Sequence, residues 1–172
     1  LGLGDRAAYL RQFDDYIQEL RNQIAAGSDG EINCLKLAWA LTNYGTHLRS
    51  EQQLPSAIER LTDAVAVRND LKFRFPSVVL YKVDAARTEL QLAMALRQTG
   101  NLSLALQHKS HAIELLRQVN RTAEGDSNYR VDLAIALHDL GHLYLDNLDD
   151  AAADSAFGEA YTLSRESNLI SS

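Results

Sequence analysis

Residues 137–160 read LHDLGHLYLDNLDDAAADSAFGEA, a segment that holds two helical patterns joined by a short polar turn. Leu137, Leu140 and Tyr144 recur at three- and four-residue steps, the period of a helix and not of a strand. Ala153, Phe157 and Ala160 repeat that period after the turn. Gly141 lies inside the first run, where glycine costs roughly 1 kcal/mol relative to alanine. A residue that costs stability in the middle of a helix needs a packing reason, and the rest of the chain supplies one.

The same arrangement occurs twice upstream, at steps of 48 residues. Gly45, Ala93 and Gly141 share one position, Ala57, Ala105 and Ala153 a second, and Ala64, Ala112 and Ala160 a third. Large residues keep the same step: Tyr44, Leu92 and Leu140; Leu48, Leu96 and Tyr144; Val67, Leu115 and Leu163. Self-similarity at a fixed period marks an array of supersecondary units. The small residues mark a close crossing of the two helices in each unit, with the alanines as the second helix's side of it.

The periodicity predicts helices over about residues 31–50 and 54–71, 77–99 and 102–120, and 127–146 and 149–166. Ser28-Asp29-Gly30 supplies cap and breaker chemistry before the first of these. Pro55 falls in a first turn, where its missing N–H is harmless. Gly100 suits a left-handed helix end and Asn101 a cap. Glu124-Gly-Asp-Ser-Asn128 reads as a linker. Residues 5–26 form a further amphipathic segment, with Tyr9, Leu10, Phe13, Ile17, Leu20 and Ile24. Phe13 falls in register with Leu61 but Tyr16 does not match Ala64, so the segment is either a cap helix or a half-repeat. The domain plan is residues 1–30 for that helix, then repeats at 31–76, 77–125 and 126–172.

This pattern resembles the tetratricopeptide repeat, in which a large residue, Leu-Gly and Tyr in helix A precede Ala, an aromatic and Ala in helix B. The third unit matches best. The second departs from it, with Glu89 at the first large position and Lys109 at the aromatic one. The common family period is about 34 residues. The longer step here resembles long-helix members such as those of kinesin light chains and of bacterial regulatory proteins. The resemblance implies an all-α, right-handed α-solenoid of three helix–turn–helix pairs plus an N-terminal helix. It also implies a protein-interaction module, a scaffold or regulatory sensor that binds a peptide or partner helix in a concave groove lined by the A helices.

By that resemblance the groove positions are Trp39, Thr42, Asn43, Thr46 and Arg49 in the first unit. They are Arg87, Leu90, Gln91, Met94 and Arg97 in the second, and Ile135, His138, Asp139, His142 and Asp146 in the third. Arg49, Arg87 and Arg97 suggest a partner with an acidic segment, since a guanidinium fork matches carboxylates. Trp39 and Met94 are candidate apolar anchors. Some family members hold a chaperone's C-terminal carboxylate with a Lys, Asn and Arg clamp. Thr42, Thr46, Gln91, Ile135 and Asp139 stand at those positions here, so that role is not expected.

Other chemistry is sparse. His138 and His142 share a helix face with Asp146, a spacing that can hold a divalent cation. This makes a metal- or small-ligand-responsive regulatory domain the alternative function, although the His-Glu-x-x-His signature is not met and no resident cofactor is expected. His108 and His111 read as helix-surface residues. Cys34, the one cysteine, has no evident base or acid beside it, and no phosphate loop or nucleophile elbow occurs, so an enzyme is not expected. A net charge of −6 disfavours nucleic acid and anionic membrane as partners. No apolar run reaches the roughly 18 residues of a membrane helix. A reducing, cytoplasmic setting is expected. The chain begins at Leu1 and its one methionine is Met94, so it reads as a piece of a longer protein. Only Asn168-Leu-Ile-Ser-Ser172 follows the last helix pair. A repeat array needs a polar end unit, so the uncapped third repeat suggests either an array that continues in the longer protein or end-to-end self-association, such as a homodimer.

Overall fold

Gly45 and Gly141, two of the small residues at the 48-residue step, do sit at helix crossings. A β-carbon on Gly45 would come within 2.7 Å of Leu61 Cγ and 3.2 Å of the Ala57 carbonyl oxygen. One on Gly141 would come within 2.5 Å of the Phe157 ring. Two helices therefore touch backbone-close at these points, and that contact defines the hairpin.

A computed structural model describes the backbone of residues 3–28, 30–122 and 127–170, and the side chains of 8, 10–28, 30–122 and 128–166. Within these residues the protein is all-α: α1 (Leu3–Ala25), α2 (Gly30–Ser50), α3 (Leu54–Arg74), α4 (Val79–Gln98), α5 (Leu102–Thr122), α6 (Ser127–Asp146) and α7 (Asp150–Ile170). The expected cap at Asp29, the packing of Tyr9, the linker from Glu124 to Asp126 and the side chains from Asn168 onward lie outside the described residues. The chain divides into two compact units, Leu1–Pro76 and Ser77–Ser172.

In the first unit α1 packs on α2 and α2 on α3. Ile17 and Leu20 of α1 are buried with Leu37, Leu41, Tyr44 and Leu48 of α2. Phe13 stacks on Tyr44, ring centroids 5.2 Å apart. The Tyr44 hydroxyl donates to Asp14 at 3.1 Å, and burial, with Asp14 beside it, raises its pKa. Tyr16 points to solvent.

In the second unit α4 pairs with α5 and α6 with α7, and α6 lies against α5. This is the stacking order of a helical solenoid. Its core joins Ala86, Ile113 and Leu116 to Leu133, Leu137 and Leu140. The interior is built from the apolar stripes that the period picked out.

The turns also repeat. Gln52, Gly100 and Leu148 stand 48 residues apart, and all three have positive φ, 59°, 77° and 59°. In each, the next residue's N–H reaches back five residues: Gln53 to Leu48, Asn101 to Leu96 and Asp149 to Tyr144, at 2.9, 3.0 and 2.9 Å. That bond satisfies a carbonyl the helix end would otherwise orphan. Pro55 occupies the first turn of α3. Asp149 caps α7, its carboxylate accepting from the Ala152 N–H at 3.1 Å.

Candidate interaction surfaces

On α2, Trp39 is 57% exposed. Thr42 and Asn43 turn back on their own helix, donating to the carbonyls of Ala38 and Trp39 at 2.7 and 2.8 Å. Thr46 and Arg49 are half-buried. The indole is thus the prominent group on this face.

In the second unit the expected groove cations meet the chain's own acids. Arg87 donates to Asp132 from Nη2 at 2.7 Å and Nε at 3.2 Å. Arg97 Nε donates to Asp146 at 2.5 Å. Lys109 Nζ lies 3.6 Å from Asp139. Asp132, Asp139 and Asp146 are seven residues apart and form one stripe along α6. The three pairs tie α6 to α4 and α5. Each exposed pair contributes little stability, but together they fix which residues of α6 oppose which cations. Arg87 and Arg97 are therefore already matched in charge. Met94 is half-buried and lines a pocket of about 370 Å³ with Arg97, Gln98 and Asp146. Leu90 packs against the core, and Gln91 is half-buried.

His138 and His142 do come together, ring centroids 4.7 Å apart, and both meet the Phe157 ring edge-on, at 5.4 and 5.2 Å. Their role visible here is aromatic packing over the Gly141 crossing. The Asp146 carboxylate accepts from Arg97 instead of completing a ligand set. Among the described residues no three His, Cys, Asp or Glu side chains form a group that could hold a metal ion. No described helix is long and apolar enough to cross a membrane.

The departures of the second unit prove to be a connected polar cluster. Glu89 is 2% exposed, and its two carboxylate oxygens receive His108 Nδ1 at 2.5 Å and His111 Nδ1 at 2.8 Å. Burial alone would raise the Glu89 pKa; the hydrogen bonds from the two imidazoles outweigh it, and the net direction is down. Lys109 is buried as well, and burial lowers its pKa against the opposing pull of Asp139. The side chains that replace apolar ones in this unit thus find partners. Sequence reasoning placed His108 and His111 on the partly exposed surface of α5, where they are, but missed their bonds to Glu89. The available signal was a carboxylate at a core register facing two imidazoles three residues apart on the paired helix.

The outer face of α6 and α7 carries a groove of about 480 Å³, lined by Val131, Ala134, Ile135 and His138 of α6 and Phe157, Ala160, Tyr161 and Ser164 of α7. Ile135 and His138, two of the expected groove residues, line this pocket together with α7 side chains. The α7 residues were not singled out from sequence. The equivalent face one repeat earlier is occupied: Ser110, Ile113 and Arg117 of α5 line a surface with Leu137 and Leu140 of α6 and Glu159 of α7. Ile113 is 2% exposed, whereas Tyr161, its counterpart 48 residues on, is 65% exposed.

No family model matches the chain, and no curated protein matches it. Among solved structures it is similar to one described as the crystal structure of MamA, at 14% identity and a TM-score of 0.40, covering 98% of each chain. It is also similar to one described as the DHF79 filament, at 13% identity and a TM-score of 0.37, covering 94% of this chain and 88% of that one.

Proposed function

We propose that the chain is a protein-interaction module, a scaffold or sensor segment that binds a peptide or helix on its repeat surfaces. The observation that carries this reading is the set of large apolar side chains left in solvent on otherwise well-packed helix pairs: Trp39 on α2, Ile135 on α6 and Tyr161 on α7. Large exposed aromatic groups and shallow apolar grooves are the features protein interfaces are built on. Apolar anchors, not an acidic segment, carry recognition in this reading, because Arg87 and Arg97 already hold Asp132 and Asp146. The test is cross-linking mass spectrometry on a captured partner, followed by its affinity for Trp39→Ala and Met94→Ala. Cross-links on α2 or on α4 and α6, with at least about a fivefold loss in one variant, support the groove. Full affinity in both variants removes it.

A second reading is self-association. The exposure of Tyr161 at a register that is buried one repeat earlier favours it.

A further inference from the structure

Helix α7 carries a self-complementary stripe. Asp154, Gly158, Tyr161 and Arg165 follow one another at steps of four, three and four, the seam spacing of paired helices. All four are exposed. The midpoint between Asp154 and Arg165 is also the midpoint between Gly158 and Tyr161. The order along the helix is acid, small, large, base. Reversed end to end, it faces base, large, small, acid.

Gly158 gives this stripe weight. The other described mid-helix glycines at crossings, Gly45 and Gly141, are each overlaid by a side chain of the paired helix, but a β-carbon on Gly158 would meet nothing within 4 Å. It carries the helix cost of glycine with no packing reason inside the chain. Arg165 has a precedent. Its counterpart one repeat earlier, Arg117, grips Glu159 of the next B helix through Nε and Nη2 at 3.2 and 2.7 Å. Arg165 itself lies over the Tyr161 ring at 5.9 Å, and among the described residues no ion pair engages it or Asp154.

We infer that a second copy of this chain covers the outer face of α6 and α7, with the two α7 helices antiparallel about a twofold axis. Tyr161 of each copy seats over Gly158 of the other, and Asp154 pairs with Arg165 across the axis. Ile135 and the groove beside it flank the seam. The inference rests on the self-association reading above and makes it specific: a closed dimer, in which each copy uses the same patch. Head-to-tail stacking is disfavoured, because the A helices that would continue the array carry polar residues where α6 has its acids: Lys36, Asn43 and Ser50 on α2, and Asp84, Gln91 and Gln98 on α4. On α6 and α7 the counterparts of the cations Arg87, Arg97 and Lys109 are Ile135, Leu145 and Phe157, which offer those groups no charge.

Sedimentation equilibrium across the micromolar range, on the whole chain, tests this. The wild type should reach the mass of two copies and stop. Gly158→Gln should be monomeric while its helical circular dichroism is unchanged and, at dilutions where the wild type is also monomeric, its Tm is equal or higher. Asp154→Arg and Arg165→Asp should each raise the Kd about tenfold or more, and an equimolar mixture of the two should restore the dimer. A dimer indifferent to all three substitutions would leave self-association standing and overturn the α7 pairing. A mass that keeps growing with concentration would overturn the twofold arrangement. A wild-type monomer throughout would overturn both.

Discussion

At the two crossings that hold a glycine, Leu61 lies on Gly45 and Phe157 on Gly141. In each, a branched or aromatic side chain of the paired helix covers the glycine. Gly141→Ala should therefore destabilise the second unit by about 1–3 kcal/mol in urea unfolding, because overpacking against Phe157 outweighs the gain in helix propensity. The same change at Gly158, measured where the chain is monomeric, should stabilise by up to about 1 kcal/mol, since nothing within the chain opposes the new methyl group. One substitution with opposite signs at two glycines is a strict check on which of them packs within the chain. The crossing at Gly45 and Gly141 was legible in the sequence because three copies made a costly residue conspicuous. The fate of Glu89 was not, since a register comparison can only show that a position departs from its fellows. What satisfies a buried carboxylate depends on where His108 and His111 fall around α5.

The Glu89 cluster carries a pH dependence. Its carboxyl has a folded-state pKa below its ordinary value of 4.5. Its stabilising effect is therefore fully present above that ordinary value and is lost as pH falls through the lower, folded-state one. The second unit should lose stability in that acid window, and Glu89→Gln should flatten the dependence while lowering stability at neutral pH. An unchanged acid limb in the variant would contradict the assignment. Lys109 has the opposite sense: its folded-state pKa is lowered, so its burial as a cation is a cost at neutral pH. Lys109→Met, which keeps an unbranched chain at this buried position, should be neutral or raise stability by up to about 2 kcal/mol.

At the scale of elements, α2, α4 and α6 end where three residues, Gln52, Gly100 and Leu148, adopt a left-handed backbone. Only one of them, Gly100, is glycine. Gln52 and Leu148 hold that conformation despite the steric penalty of a β-carbon. Leu148 is exposed and little packing would be lost with it. Leu148→Gly should raise the Tm, by about 0.5–1 kcal/mol in stability. Thermal unfolding checks this, and a fall would mean that the side chain contributes contacts beyond the turn. The helix limits were readable because apolar period, Pro55 and Gly100 agree. The left-handed sites at Gln52 and Leu148 were not, because neither residue type signals that backbone. The acidic stripe Asp132, Asp139 and Asp146 was equally hidden. Its partners Arg87, Arg97 and Lys109 lie on α4 and α5, and only the stacking of α6 brings them together.

At the scale of the molecule, the second unit contains one stacked interface and one open copy of it. The face of α5 that holds Ile113 is closed by α6, and the face of α7 that holds Tyr161 meets solvent. A repeat that buries a residue in one copy and bares it in the next leaves a surface for something outside the described fold. The stripe on α7 supplies the charge and size pattern for a second copy. The helical glycines are built-in reporters of that difference, since Gly45 and Gly141 close crossings inside the chain while Gly158 faces outward. Amide nitrogen–proton NMR spectra recorded on serial dilution would follow all three. The Gly158 and Tyr161 resonances should shift with concentration while those of Gly45 and Gly141 stay in place. Shifts of equal size at all three glycines, or none at Gly158, would contradict a contact through α7.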